Sequence, residues 1–379
     1  AEEVPLSTPG RRVRWVPSVS AYYATGTNSF EEGPQPSDDS YWDVGPRLEM
    51  LTAPLRVAYE AHVRGGSRYS RVNSTTTHQV EARLERQLAG DKHLSAHYEF
   101  LRGRQQTRAV DPGGEYFYGL EPFRKHTLGA RARAPVGGAT GLVLRGAWDQ
   151  VRFDETGTFT DFSAWAVQGG VRREVGGQSS AEVLYTRDEI YSASSPAVAG
   201  TTADTVSASL TGEVRPMLHL HLLGGLSRRQ SPGAPEEARS LTDFLARVDV
   251  RREFSGTTAV NLAYQRSRNN SAFEANPSYR SDLVEAKGHA PLPFELSLAA
   301  SVGVRWNDYP LEALEIGVPR QDRIFGWTVG LGRTVGDHAV VHVEYRWLRR
   351  HSNLPGLSSV ADGLLIQLDV APRRGEGRP

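Results

Sequence analysis

Long segments of this sequence alternate strictly between apolar and polar residues. In residues 55–64 the odd positions, from Leu55 to Val63, are apolar, and the even positions carry mostly polar or charged side chains. Residues 78–85 and 341–347 repeat the pattern. Because successive side chains of a β-strand point to opposite faces, the alternation predicts strands with one apolar and one polar face. A helix would need apolar residues three or four positions apart, and these segments lack that spacing.

The alternation predicts eighteen strands. They span residues 13–25, 40–51, 55–65, 76–88, 92–103, 116–134, 140–152, 162–174, 179–189, 204–215, 217–228, 242–253, 258–268, 280–290, 295–307, 323–334, 338–349 and 362–371. Pro17 and Pro46 interrupt two early strands, and their missing N–H groups predict a bulge or a strand start there. The segment 116–134 is too long for one strand and is expected to include an ordered loop.

The connections between these strands alternate between short turns and long polar loops. The short turns contain Gly, Asp or Pro, which suit tight hairpins; they are Thr52-Ala53-Pro54, Gly90-Asp91, Val136-Gly137-Gly138, Gly176-Gly177, Arg215-Pro216, Ser255-Gly256, Leu292-Pro293 and Gly336-Asp337. The long loops cover residues 26–39, 65–75, 104–115, 153–161, 190–203, 229–241, 269–279, 308–322 and 350–361. Eight turns and nine loops are the connections of eighteen up-and-down strands with both chain ends on the short-turn side.

The apolar face of these strands suits contact with lipid. No apolar run reaches the roughly 18 residues of a spanning helix, and the mean hydropathy is negative, but a barrel strand needs an apolar residue only at every second position. Aromatic residues at apolar positions near strand ends indicate an interfacial girdle; they are Trp15, Tyr23, Trp42, Trp148, Trp165, Trp306, Trp327, Tyr345 and Trp347. The alternative is a soluble β-sandwich with aromatic residues in its core.

The sequence therefore predicts an all-β fold, a transmembrane up-and-down antiparallel β-barrel of about 18 strands in the bacterial outer membrane. Short turns would lie in the periplasm and long loops outside the cell. One barrel domain would cover residues 1–379, with a short periplasmic segment at 1–12 and a C-terminal tail at 372–379. The start Ala1-Glu2-Glu3-Val4-Pro5 is typical of a mature terminus from which a signal peptide has been removed.

Composition and motifs argue against several other functions. The chain has no Cys, so thiol chemistry and disulfides are absent, and its 44 basic and 44 acidic residues give no general affinity for nucleic acid. His219 and His221 would share one strand face, but no third metal ligand is identifiable, so two lumen histidines are the simpler interpretation. The glycines from Gly330 to Gly336 lie in a strand and turn with no following helix, which argues against a phosphate loop. The sequence predicts no enzyme, no metal site and no cofactor.

The polar face of the strands would line the barrel interior. Unpaired charges are costly in a dry core, so this face needs water or mutual pairing, and a barrel of 16–18 strands is wide enough for an aqueous lumen. We expect the translocation path to be lined by Arg56, Glu60, His62, Glu81, Arg83, Arg131, Arg145, Asp149, Arg172, His219, His221, Arg247, Asp249, Glu285, Arg305, Glu344 and Arg346. The same face carries Tyr22, Arg47 and Glu182. The mixed signs favour a neutral or weakly charged polar solute, although an Arg–Glu network that only braces the wall is an alternative.

The C-terminal hairpin carries a specific likeness. The run Val343-Glu344-Tyr345-Arg346-Trp347-Leu348-Arg349-Arg350-His351-Ser352-Asn353-Leu354-Pro355-Gly356, followed by the strand Leu364–Asp369, resembles the C-terminal hairpin of the β-barrel porin 2 family, and Val16–Ser20 resembles that family's start. The family usually closes with an aromatic residue, whereas this chain continues through Ala371.

The resemblance implies export of an exopolysaccharide or capsule polysaccharide through a hydrated, charge-lined lumen. The implied partners are the polysaccharide itself, a periplasmic polysaccharide-export protein and an inner-membrane co-polymerase. As an outer-membrane barrel, the chain is also expected to contact outer-membrane lipid and lipopolysaccharide. Two other functions stay open: a general or substrate-specific porin for small polar solutes, in which a long loop should fold inward, and a non-conducting outer-membrane scaffold or surface-interaction barrel.

Overall fold

Nearly all of the residues that the structure describes lie in β-strands. The structure, a computed structural model, describes residues 13–27, 38–66, 76–90, 92–103, 122–154, 161–176, 178–192, 200–255, 257–271, 278–313 and 317–371. The predicted periplasmic segment 1–12, the tail 372–379 and most of the predicted long loops lie outside the described residues, as do Asp91, Gly177 and Gly256 of the predicted turns. Among the described residues, no helix is long and apolar enough to cross a membrane.

Eighteen strands form in chain order. They are β1 Arg14–Thr27, β2 Asp38–Thr52, β3 Leu55–Gly65, β4 Thr76–Leu88, β5 Lys92–Gly103, β6 Phe123–Gly137, β7 Thr140–Phe153, β8 Phe162–Gly176, β9 Ser179–Tyr191, β10 Thr201–Arg215, β11 Leu218–Gln230, β12 Ser240–Ser255, β13 Thr258–Asn270, β14 Ser278–Leu292, β15 Leu296–Ala313, β16 Val318–Val335, β17 Ala339–Ser352 and β18 Ser359–Val370. The shortest has 11 residues and the longest 18, so each is long enough to cross a bilayer at a tilt.

The strands close into a single antiparallel barrel. Each strand pairs with its neighbour in the sequence, and β1 pairs with β18 from Val19↔Val370 to Thr25↔Leu364. The glycines of the short turns adopt left-handed dihedrals where the hairpins need them, with φ of 70° at Gly90 and 62° at Gly336. The predicted fold class, with about 18 up-and-down strands, is confirmed.

Three predicted loops are wrong in extent. Residues 308–322 are mostly strand, because β15 continues to Ala313 and β16 begins at Val318. The predicted loop 350–361 shrinks to residues 353–358 between β17 and β18. Residues 229–241 contain a short helix, α1 (Glu236–Arg239), that the sequence analysis did not predict. In the first two places the strands continue as polar hairpins, where the apolar alternation that marks a lipid-facing strand has ended.

The apolar side chains lie on the outer face of the barrel. Residues that pair directly across two strands share a face, and Leu48↔Tyr59 and Tyr59↔Val80 are such pairs. These side chains stay open rather than packing inward: Leu48 and Tyr59 are each 45% exposed and Leu144 is 56% exposed. A water-soluble sandwich would bury them, whereas an outer face in lipid leaves them free of protein contacts. The soluble alternative therefore fails.

Aromatic residues form a girdle on this outer face. Three pairs lie directly opposite each other on neighbouring strands, Tyr23↔Trp42, Trp148↔Trp165 and Trp327↔Trp347. All nine predicted girdle residues occupy outward positions in the strand pairing. Rings with one apolar and one polar edge favour the headgroup depth of a bilayer, so the girdle marks the edges of the lipid-facing band.

Five outward tyrosines repeat one hydrogen-bonding geometry, which we call the tyrosine rungs. Each tyrosine lies on an odd-numbered strand, and its hydroxyl bonds a His or Asp on the next strand, diagonally toward the long-loop end. The rungs are Tyr59–His78, Tyr98–His126, Tyr185–Asp204, Tyr264–Asp282 and Tyr345–Asp362, with lengths between 2.5 and 3.2 Å. The hydroxyls all point in the same direction, which indicates the boundary between acyl chains and headgroups.

Val343→Arg tests the assignment of the two faces. Val343 points outward two residues from Tyr345, so an arginine there would place a charge in the acyl chains. We expect the free energy of unfolding in lipid vesicles, measured by denaturant titration, to fall by about 2–4 kcal/mol. Glu344→Arg introduces the same side chain at the same depth on the lumen face and should cost clearly less; the reverse order would mean that the faces are inverted.

Candidate functional site: the lumen face of the barrel

All predicted lining residues lie on one face of the barrel wall. The strand pairing can be followed around the barrel, for example from Arg56↔Arg83 through Arg131↔Arg145 to His221↔Asp249. At each step, residues opposite each other share a face. The face opposite the exposed apolar side chains contains Arg56, Glu60, His62, Glu81, Arg83, Arg131, Arg145, Asp149, Arg172, His219, His221, Arg247, Asp249, Glu285, Arg305, Glu344 and Arg346. Their role as a translocation path stays a prediction.

A chain of charged residues braces the wall from β2 to β4. His62 lies between two carboxylates, 2.7 Å from Asp43 through Nδ1 and 2.8 Å from Glu60 through Nε2. Arg47 donates to Glu60 at 2.8 Å and to Glu81 at 3.1 Å. The Arg47–Glu81 bond crosses the whole width of β3, which is possible only on the concave side of the sheet. These paired charges offset much of the desolvation cost of the lumen face.

The predicted position of Tyr22 on the polar face is confirmed, and it has a structural partner there. Its hydroxyl donates to Asp43 at 2.9 Å and accepts from Arg64 at 2.7 Å. Arg64 also lies over the ring of Tyr41, with its guanidinium carbon 4.4 Å from the ring centre. Tyr22 therefore belongs to the bracing network at the closing strands and offers no free aromatic surface to a sugar.

One glutamate joins four strands further around the lumen, from β6 to β9. Glu182 of β9 contacts Arg145 at 2.7 Å, Arg172 at 3.5 Å and Arg131 at 3.6 Å, and only about a tenth of its side chain is exposed. Glu174 adds bonds to Arg133 at 2.8 Å and to Arg172 at 3.2 Å. We call these residues the Glu182 cluster. Its arginines outnumber its carboxylates, so it gives this part of the wall a positive potential.

A polar cavity opens from the wall of β10–β14 toward the short-turn end. Its volume is about 700 Å³, and the side chains around it include His219, His221, Arg247, Asp249 and Lys287. His221 lies 3.3 Å from Asp249, which also accepts a hydrogen bond from Arg247. Within the described residues no group of His, Asp and Glu could hold a metal ion. Hydrogen-bonding groups of both signs thus surround a space of small-molecule size.

Buried side chains pack together on the lumen face of β14–β17 near the long-loop end. Tyr279 and Tyr309 stack with ring centres 5.2 Å apart, and both are almost completely buried. Beside them, Asp322 accepts hydrogen bonds from Arg320 at 2.6 Å and from Arg350 at 3.3 Å, and all three side chains are buried. This part of the wall is therefore packed, in contrast to the polar cavity near the short turns.

The segment between β11 and β12 folds over this packed part of the wall. We call residues 231–239 the inward segment. It is closed by a hydrogen bond from the Ser231 N–H to the Arg239 carbonyl at 2.9 Å, and Ala234 and Ala238 are buried. Its helix α1 contacts β15, three strands further around the barrel. The segment therefore narrows the lumen near the extracellular mouth.

The sequence analysis missed three important residues of this face. Asp43 continues the alternation of Arg47 and Glu49, but Pro46 interrupts the pattern and hid it. Asp322 and Arg350 fell at the edges of predicted loops, because the strands extend further than the apolar alternation. In these positions polar alternation alone was the available signal.

The residues that carry the family resemblance have structural partners. The side-chain amide of Asn353 donates to the Pro319 carbonyl at 2.9 Å, and its oxygen accepts from the Gln321 N–H at 2.7 Å. Ser352 accepts from the Leu354 N–H at 3.1 Å. Together with the Arg350–Asp322 bond, these contacts fasten the end of β17 to β16. The run thus stabilises the extracellular hairpins.

Comparisons with known proteins support the fold. No protein-family model matches the chain, and no curated protein matches it. Among solved structures, the outer-membrane protein OpdK of Pseudomonas aeruginosa aligns over 95% of this chain and 98% of its own, with a TM-score of 0.51 and 11% identity. OpdK with vanillate aligns over 94% and 99%, with a TM-score of 0.51 and 12% identity.

A bacterial polysaccharide outer-membrane secretin also aligns, over 94% of this chain and 98% of its own, at 11% identity with a TM-score of 0.40. A score this low carries no argument about solute. The chain thus has the barrel fold of outer-membrane proteins, and a location in that membrane agrees with the lipid-facing outer surface.

Glu182→Gln tests the Glu182 cluster. The substitution leaves three arginines without their shared carboxylate, so we expect the free energy of unfolding to fall by about 1–3 kcal/mol. We also expect a stronger preference for anions, measured as the reversal potential of single channels under a KCl gradient. Glu174→Gln removes a more exposed carboxylate of the same cluster and is the control. An equal shift in both variants would contradict the central place of Glu182.

Proposed function

We propose that this chain is an outer-membrane channel for small polar solutes of low net charge. The observation that carries the proposal is the inward segment, which folds from the β11–β12 connection over to β15 at the long-loop end. A segment folded into the lumen sets an upper limit on the size of what can pass. A channel for small solutes needs such a limit, whereas a channel for a polymer needs an open bore.

The charges of the wall support a solute without strong charge. The network around Arg47 and Glu60 and the Glu182 cluster place both signs close together along the lumen. A selective ion pore would use one sign at its narrowest part. Paired charges leave hydrogen-bonding atoms available, and apart from the excess of arginines at the Glu182 cluster they leave little net field. This environment suits hydroxyl-rich or zwitterionic molecules.

The cavity near the short-turn end supports a solute of limited size. A volume of about 700 Å³ lies within the range of roughly 300–1,000 Å³ of small-molecule sites. His219, Asn261 and His289 offer hydrogen-bonding groups beside Arg247 and Asp249. A solute that has passed the inward segment would exchange its water for these groups before it leaves.

Liposome swelling with a series of sugars tests the proposal. We expect mono- and disaccharides to enter quickly and sugars larger than a tetrasaccharide to be excluded. Replacing residues 232–238 with two glycines should raise the size limit and the single-channel conductance. Glu236→Gln/Glu237→Gln keeps the inward segment and removes only its exposed charges, so it should leave the size limit unchanged. Absence of swelling and of conductance would instead support a non-conducting scaffold.

A second candidate is the export of an exopolysaccharide or capsule polysaccharide. The observation that favours it is the likeness of residues 343–356 to the C-terminal hairpin of the β-barrel porin 2 family. In that case the inward segment would have to move aside for the polymer. A periplasmic polysaccharide-export protein and an inner-membrane co-polymerase would be the partners.

Deletion of the gene distinguishes the two candidates. Loss of surface polysaccharide, restored by the full chain, would support export. Unchanged polysaccharide together with slower growth on a small polar nutrient would support the small-solute channel. The variant with glycines at 232–238 adds a second measurement, since an exporter should then release polymer faster and a small-solute channel should only lose its size limit.

A further inference from the structure

Three arginines lie side by side on the outer face of the barrel. Arg102 of β5 pairs directly with Arg124 of β6, and Arg124 pairs directly with Arg152 of β7. We call them the outer arginine row. Their strands also carry Tyr98, Leu128 and Trp148 on the same face, and the pairs Tyr98↔Leu128 and Leu128↔Trp148 fix this orientation. All three arginines are exposed.

The row is short of negative charge. Neighbouring strands are about 4.8 Å apart, and like charges directly opposite each other on a sheet are destabilising. In the described part of the chain, the one carboxylate that bonds the row is Asp154, 3.2 Å from Arg124. Among the described residues the row is therefore short of counter-charge, and binding of an external anion would relieve its repulsion.

Three outward arginines elsewhere on the barrel have carboxylate partners on the same face. Arg187 lies 2.6 Å from Asp204, Arg266 lies 2.6 Å from Asp282, and Arg280 lies 2.6 Å from Asp308. These three pairs also sit just beyond tyrosine rungs. At these three positions the charge is compensated within the chain, whereas Arg102 and Arg152 form no ion pair with a carboxylate of the described residues.

The depth of the row matches the lipid headgroups. Arg102 lies four residues beyond Tyr98, whose hydroxyl bonds His126 at 3.0 Å in a tyrosine rung. At about 3.3 Å per residue and a tilt of about 45°, this places the row roughly 9 Å above the rung. The row points toward the long-loop end, which faces the outer leaflet. Below it, Gly146 presents no side chain to the membrane, and nothing lies near the position of its missing Cβ.

We propose that the outer arginine row binds the phosphate groups of lipid A, the membrane anchor of lipopolysaccharide in the outer leaflet. Guanidinium groups bind phosphate with paired, charge-assisted hydrogen bonds, and three adjacent arginines match a headgroup that carries two phosphates. The surface beside Gly146 provides an even apolar floor for an acyl chain. This site is independent of the solute that passes through the lumen.

Native mass spectrometry of the full-length barrel in detergent tests the proposal. The probe is bisphosphorylated lipid A, with monophosphorylated lipid A and phosphatidylglycerol as the comparison lipids. Arg102→Gln/Arg124→Gln/Arg152→Gln should weaken lipid A binding by about fivefold for each arginine lost. Arg187→Gln/Arg266→Gln/Arg280→Gln changes the net charge by the same amount and should bind lipid A as tightly as the unaltered chain.

Several results would overturn the site. Equal loss of lipid A in both triple variants would mean that only net charge matters. Equal affinity for phosphatidylglycerol would mean that any anionic lipid suffices, and release of lipid A by millimolar inorganic phosphate would indicate a site for free phosphate. Each variant is first checked for a folded barrel by its heat-dependent mobility in a gel. If the row variant does not fold, Arg152→Gln alone should still weaken binding about fivefold.

Discussion

The hydrogen-bonding demand of the backbone in lipid determines the rest of this structure. Acyl chains offer no partner to an N–H or C=O group, so a sheet in a membrane must have no free edge. The chain meets this demand by pairing β1 with β18. Once the sheet is closed, one face must contact lipid and the other must enclose an interior. The period of two in the sequence then assigns every side chain to one of these environments.

Much of the fold could be predicted because this assignment is so strict. Alternation gave the number of strands, and β3, β4 and β5 have the predicted bounds. The prediction failed where the strands extend beyond the lipid, because an apolar residue is no longer needed there at every second position. Beyond the girdle both faces of β15 and β16 meet water or protein, so residues 308–322 show no apolar period. The lack of this period is what predicts a loop there. The helix α1 has only four residues, too few for any helical periodicity to be visible.

The candidate site was only partly predictable from the sequence. The alternation of faces identified residues of the lumen face such as Arg145 and Arg172, because a charged residue whose two neighbours face lipid points inward. It could not predict their partners. That Glu182 joins β6, β7, β8 and β9 depends on the curvature of the wall and on the stagger between strands. The packing of the inward segment against β15 is likewise a long-range contact, which no local pattern in residues 229–241 encodes.

The tyrosine rungs have a mechanical consequence. They lie on β3, β5, β9, β13 and β17, so no gap between them exceeds four strands of the ring. Because the five rungs are distributed around the circumference of the barrel, they define a plane. Each rung prefers the same height in the bilayer. Tilting the barrel would move some tyrosine hydroxyls into the acyl chains and others into water. The axis is thereby kept upright, and the mouth of the barrel keeps a constant height above the cell surface.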